Sequence, residues 1–195
     1  MKPYMTNNEI QLFRKYLQKS DNYIEFGAGG STLYATQNNV KNIYSIETDL
    51  EWINKLKNYD LIKNKLEKKE LTIKYLDLEC TWWKHVTWAT SSEECSKNNW
   101  PLYSKLADEC HFTPDLILID GRFRISSALE SIKLMTDDTY LLFHDYIDFR
   151  KQYYVIEEFF DKVEKIEKLQ VFKKKKYINK NELDKIIEKY RLLID

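Results

Sequence analysis

The chain of 195 residues has four glycines, and three of them, Gly27, Gly29 and Gly30, fall within four consecutive positions. A chain this poor in glycine places it where the backbone must take a positive φ or approach something closely. The three follow a short strand-like run, residues 22–26, and precede Ser31 and Thr32, which open a helix through about residue 37. The spacing therefore predicts strand, tight turn and helix. Free backbone N–H groups and missing Cβ atoms at such a turn admit a nucleotide-like ligand. Gly121, the fourth glycine, follows the buried-strand pattern D-L-I-L-I-D at 115–120 and marks a second candidate contact.

The remaining periodicities predict a helix over 8–19 and strands over 42–47, 71–76, 115–119 and 140–143. Helices are expected at about 50–59, 125–135, 150–160 and 181–193, with a closing strand pair at 163–167 and 169–172. Strands alternating with helices imply a parallel sheet. The alternation breaks between about 77 and 114, where Trp82, Trp83, Trp88 and Trp100 make four of the five tryptophans. Insertions of this kind serve as lids or partner surfaces, or pack as a small hydrophobic subcluster. No repeat or linker divides the chain, so one domain over 1–195 is expected, with a basic region at about 162–195 that includes Lys173 to Lys176. Such a run suits an anionic partner or guards a sheet edge.

With 43% hydrophobic and 32% charged residues the chain has the composition of a folded protein. The 31 Lys+Arg balance 31 Asp+Glu, so net charge gives no sign of nucleic-acid binding. Cys80, Cys95 and Cys110 are odd in number and lack CxxC spacing, against a disulfide framework or zinc knuckle. Residues 1–13 lack a signal-peptide core, and no run approaches the roughly 18 apolar residues of a membrane span. A cytoplasmic protein is the expectation.

The chemistry sits at the strand ends. A dinucleotide fingerprint needs a further glycine where Thr32 stands. Glu25, two residues before Gly27, suits an ammonium group better than a pyrophosphate, and both features disfavour a NAD-dependent oxidoreductase. Glu47, ending the second strand, can accept hydrogen bonds from both ribose hydroxyls. Asp120 and Asp145 end the fourth and fifth strands and are expected to face one crevice across a topological switch. His144 is the candidate general base, because an imidazole with a pKa near ~6.5 takes a hydroxyl proton at neutral pH. Arg122 and Arg124 can clamp an acceptor's carboxylate or phosphate; otherwise Arg122 pairs with Asp120 or Asp145 and Arg124 is a surface residue on the helix that follows.

E-x-G-x-G-G at 25–30 together with Glu47 resembles the class I S-adenosylmethionine-dependent methyltransferases, over residues 23 to about 172. The resemblance implies an α/β, Rossmann-like, doubly wound and mainly parallel seven-stranded sheet with a reversed last strand and helices on both faces. It implies S-adenosylmethionine as cofactor, with Gly27, Gly29 and Gly30 under the methionine and ribose, Glu25 near the amino acid end and Glu47 on the ribose. Ser31, Thr32, Asp77 near the adenine, and Asp120 complete that set. Asp120 and Asp145 also match two ligands of the metal-assisted O-methyltransferases, with His144 or Tyr146 where a further oxygen ligand is expected. Mg²⁺ prefers oxygen ligands, and a His-containing trio suits another divalent metal.

Trp100-Pro101-x-Tyr103, D-L-I-L-I-D-G-R-F-R and L-L-F-H-D-Y are similar to small bacterial and viral methyltransferase-like proteins. That similarity makes O-methylation of a sugar, glycan or small-molecule hydroxyl the leading expectation, with His144, Asp145 and Asp120 catalytic and Arg122, Arg124, Tyr146 and Trp100 at the acceptor. An RNA methyltransferase using the basic region, and a non-catalytic interaction module, are the alternatives.

Overall fold

The computed structural model describes residues 1–79 and 98–194. α1 (Asn7–Leu17) leads into β1 (Asn22–Phe26), the glycine turn and α2 (Gly30–Gln37); β2 (Asn42–Glu47), α3 (Leu50–Leu56), α4 (Asp60–Glu67) and β3 (Leu71–Tyr75) follow. Beyond residue 97 come α5 (Trp100–Lys105), β4 (Leu116–Ile119), α6 (Arg124–Ser131), β5 (Tyr140–Phe143), β6 (Phe160–Ile166), β7 (Leu169–Lys174) and α7 (Lys180–Tyr190). Among the described residues the strands make one seven-stranded sheet in the order β3-β2-β1-β4-β5-β7-β6. The first five strands pair in parallel, and β7 lies antiparallel between β5 and β6. This is the doubly wound sheet with a reversed last strand that the sequence implies.

Side chains alternate between the faces of a strand, and the core divides accordingly. Ile24, Phe26, Ile117, Ile119, Leu141 and Phe143 pack with residues of α5, α6 and α7. Tyr23, Leu116, Leu118, Leu142 and Val171 pack with α1, α2 and Ile62 of α4. All four residues of β4 are buried, as a strand covered on both faces requires. Each large apolar side chain so buried contributes roughly 1.5–3 kcal/mol.

Two segments depart from the sequence expectation. The helix expected at about 50–59 ends at Leu56, and α4 begins after an extended Tyr59, burying Ile62. Lys151–Glu158 is a 3₁₀ helix rather than an α-helix. Tyr153, Ile156 and Phe159 are 0%, 0% and 3% exposed, and side chains three apart share one row of a 3₁₀ helix. The buried period there is three, not 3.6. Trp82, Trp83, Trp88, Cys80 and Cys95 lie outside the described residues, whereas Cys110 is a half-buried free thiol. No helix among the described residues is long and apolar enough to cross a membrane.

Candidate active site

The parallel strands bring residues far apart in sequence to one edge of the sheet. Gly27 has φ +99°, and a Cβ there would lie 2.8 Å from Gly121 N. A Cβ on Gly121 would in turn lie 2.8 Å from Gly27 N and collide with the Tyr103 hydroxyl. The turns after β1 and β4 thus press backbone against backbone at the switch point. At Gly29 the Cβ position lies 2.5 Å from Trp52 Nε1, and at Gly30 it is taken by the backbone of Lys2 and Pro3. Every glycine does mark a close approach, and here the approaching group is the chain itself. The neighbours at Gly27 and Gly121 are rigid, but Trp52 is a side chain 38% exposed.

Glu25 lies on the same face of β1 as Tyr23 and beside Ser45 in the β1–β2 register. Its carboxylate is fully buried and accepts hydrogen bonds from Tyr23 (3.0 Å), Ser45 (2.5 Å) and Thr32, with the Ser31 hydroxyl also bonded to it. Burial pushes its pKa up, and the four hydroxyls oppose that shift. Thr32 Oγ1 also accepts the Gly29 N–H at 2.8 Å. The acid that the resemblance assigns to an ammonium group is therefore inside the layer under α2, where it grips the start of the helix.

Glu47 stands at the carboxyl end of β2. Its Oε1 accepts the N–H groups of Thr48 (2.6 Å) and Asp49 (2.9 Å), and Oε2 has no hydrogen bond among the described residues. Burial pushes its carboxyl up to about 7, against those two bonds and the nearby charge of Arg122. Such a carboxylate lacks donors on its open side. Asp77 is exposed two residues past β3, where its Oδ1 accepts the Glu79 N–H at 2.8 Å.

The ends of β4 and β5 meet through side chains. His144 is 4% exposed, and its Nδ1 lies 2.9 Å from Asp120 Oδ1. A carboxylate only accepts, so Nδ1 carries a proton, and in the neutral ring Nε2 presents a lone pair. Nε2 is buried without a hydrogen-bond partner. Burial lowers the His144 pKa, but the hydrogen bond and charge of Asp120, with Asp145, outweigh it and hold the pKa above the ordinary histidine value. Arg124 is 5% exposed; its Nη1 donates to the His144 carbonyl at 2.7 Å, and its guanidinium lies 3.2 Å from Asp145 and 3.5 Å from Asp120. Against the effect of burial, Arg124, His144 and Arg150 hold the Asp145 carboxyl below the usual range.

A cavity of about 320 Å³ opens on this cluster, lined by residues 3–6, Glu9, His144, Asp145 and Lys168. Glu9 was not among the residues expected from the sequence. Its signal is the capping box Thr6-x-x-Glu9, in which the Thr6 hydroxyl accepts the Glu9 N–H at 3.3 Å and Glu9 accepts the Thr6 N–H at 2.8 Å.

Two of the acceptor candidates are packed inside. Trp100 is 1% exposed, donates to the Leu78 carbonyl at 3.3 Å and packs on Phe123, while Tyr146 is 2% exposed and donates to Glu157 at 2.5 Å. Arg122 lies half-buried near Glu47. The two carboxylates that the sequence offers to Mg²⁺ share the Arg124 guanidinium instead. Among the described residues no group of three or more His, Cys, Asp or Glu side chains is arranged to hold a metal.

No protein-family model and no curated protein matches the chain. Solved structures do. A methyltransferase-like protein from Silicibacter pomeroyi is 23% identical over 97% of each chain, with a TM-score of 0.69. An O-methyltransferase from Bacillus cereus in complex with SAH is 11% identical over 87% of this chain and 82% of that one, with a TM-score of 0.55. A SAH-bound methyltransferase from Podospora anserina is 10% identical over 88% and 80%, at 0.53. Strand order, reversed last strand and these likenesses together show that the chain has the Rossmann-like fold of the class I methyltransferases.

Proposed function

We propose that the protein is an S-adenosylmethionine-dependent O-methyltransferase acting on a hydroxyl of a sugar, glycan or other small molecule, with His144 as the base. The observation that carries this reading is the buried, partnerless Nε2 of His144, held by Asp120 at the strand ends and lining a cavity. When bound, the cofactor supplies a sulfonium methyl group open to in-line displacement. Glu47 takes the ribose hydroxyls on its open oxygen, and Asp77 borders the adenine. Gly27, Gly29 and Gly30 line the methionine end, so binding moves Trp52 and the Lys2 and Pro3 backbone off the glycines. Glu25, Ser31 and Thr32 are positioning residues that hold the turn on α2.

The acceptor hydroxyl donates to His144 Nε2, which takes its proton as the oxygen attacks. Asp120 keeps the Nδ1 proton and stabilises the imidazolium, while Arg124 fixes Asp120 and Asp145 in place. Arg122, beside Glu47, contributes to the polarity that the acceptor meets. The base must be neutral, so turnover falls as pH drops through the His144 pKa. With Asp120 and Asp145 raising that pKa, the acid limb of the rate profile lies above the usual ~6.5. Asp120→Asn moves the limb to lower pH as well as slowing the reaction.

Three of the four consecutive lysines are tied down: Lys173, Lys174 and Lys175 donate to the carbonyls of Asp137, Met135 and Glu157. They tie the end of β7, an inner strand rather than an edge, to the segments that precede β5 and β6, and no observation favours the RNA reading.

Calorimetric titration with S-adenosylhomocysteine, against NADH as a control, tests the proposal. Saturable binding near pH 7 is expected to release part of a proton, because hydroxyl donors favour the ionised form of a carboxyl held at about 7. The release appears as an enthalpy that depends on the buffer, and Glu47→Gln removes it. No binding by folded protein would leave the non-catalytic module.

A further inference from the structure

The lining of the cavity holds a second group besides His144. Glu9, on the first turn of α1, is 1% exposed, and its Oε1 accepts the Lys168 N–H at 2.8 Å while Oε2 accepts the Thr6 N–H at 2.8 Å. Oε2 also lies 3.7 Å from His144 Nε2. That separation is too long for a direct hydrogen bond. In the neutral ring that the base requires, with Nδ1–H committed to Asp120, Nε2 is an acceptor, and a carboxylate oxygen has a second lone pair. Two acceptors therefore stand side by side on one cavity with no proton between them.

We propose that the cavity binds a vicinal diol, in which the hydroxyl to be methylated donates to His144 Nε2 and its neighbour donates to Glu9 Oε2. The inference rests on the methyltransferase reading and narrows its substrate class. Gauche hydroxyl oxygens on adjacent carbons are separated by about the length of an O–H···O bond, ~2.8 Å, so such a pair spans acceptors 3.7 Å apart without distortion. A lone hydroxyl has one proton and serves one acceptor. An ammonium group carries enough protons for both, but the local charges are already balanced. Asp120 and Asp145 face Arg124, Arg150 and Lys168, the last 4.0 Å from Asp145, and with Glu9 the acids equal those cations in number. A neutral donor pair fits that balance, and about 320 Å³ is room for one small ring. In the transfer the O–H proton goes to His144 Nε2, an oxygen lone pair forms the bond to the methyl carbon, and the methyl–sulfur bond breaks with its electrons on sulfur.

The test uses full-length protein with ¹⁵N-labelled histidine, with and without saturating S-adenosylhomocysteine. The His144 ring signal is assigned by its loss in His144→Gln. The probes are cis-1,2-cyclohexanediol, cis-1,3-cyclohexanediol, cyclohexanol and cyclohexylamine. The 1,2-diol is expected to shift the Nε2 signal saturably and to bind roughly tenfold more tightly than cyclohexanol or the 1,3-isomer, the value of about one good hydrogen bond. Glu9→Gln, its fold checked by melting, is expected to bring that preference below about threefold. Equal binding of the 1,2-diol and cyclohexanol, tighter binding of cyclohexylamine, or no shift with any probe would each overturn the inference, and these comparisons need only the wild-type chain. S-Adenosylhomocysteine binding without a diol preference removes the diol alone. A diol preference without S-adenosylhomocysteine binding removes the methyltransferase reading and leaves the diol site.

Discussion

Gly27→Ala lowers the stability of the fold by about 3 kcal/mol or more, because two independent penalties meet at one position. The backbone there has φ +99°, a region that side chains with a Cβ rarely enter. The added carbon would also lie 2.8 Å from Gly121 N and 2.9 Å from Gly121 Cα. Those atoms belong to the turn after β4 and have nowhere to go, since β4 is buried on both sides. Gly29→Ala is the control. Its φ of 163° lies outside the left-handed region, and its Cβ would meet the indole of Trp52, which is 38% exposed and able to rotate away. That variant is expected to cost less than about 1 kcal/mol. Urea unfolding of both variants decides the matter, and equal losses would mean that the turn is not held by the Gly27–Gly121 contact.

His144→Ala reduces turnover by about 10²–10⁴-fold, the range for removing a positioned general base, while S-adenosylhomocysteine affinity stays within about twofold of wild type. The separation follows from the layout. Glu47 and the glycine turn lie at the ends of β2 and β1, whereas His144 follows β5, touches Asp120 and lines the cavity beside Glu9. Labelled-methyl transfer to an acceptor chosen by the diol titration measures the loss. Added imidazole is expected to restore part of the rate, because the deletion leaves room beside Asp120 for a ring that accepts the proton. Unchanged turnover in the variant would remove His144 as the base, and a matching loss of cofactor affinity would make it a structural residue.

The sheet was legible in the sequence because its strands carry their burial on their face: D-L-I-L-I-D could only be a strand covered on both sides, and Glu47 and Asp120 fall where parallel strands end. Other features were not, for physical reasons. Glycine spacing reports that something comes close, not what it is, and here Trp52, Lys2, Pro3 and the paired turns fill the spaces. Tyr153, Ile156 and Phe159 recur every three residues, near enough to a helical period to pass for an α-helix. Trp100 and Tyr146 belong to chemically versatile residue types, and only their surroundings make them core. The motif Thr6-x-x-Glu9 announces a helix start, but nothing local says that the same carboxylate meets the Lys168 N–H from the β6–β7 turn and stands beside His144. Contacts at that sequence separation are properties of the assembled sheet.

The placement of β7 between β5 and β6 bears on how the molecule is made. A chain emerging from its N-terminus can assemble β1 to β5, but it then carries β5 as an open edge, because β6 joins the sheet only through β7. An unpaired apolar strand such as Leu141 to Phe143 is a template for pairing between chains. Synthesis interrupted before Leu169 therefore yields an aggregation-prone product, and one in which Glu9 has yet to meet its partner at Lys168. The strand made last both covers β5 and brings Lys168 to Glu9, so the pairing of that edge and the fixing of the buried carboxylate belong to the same step of synthesis.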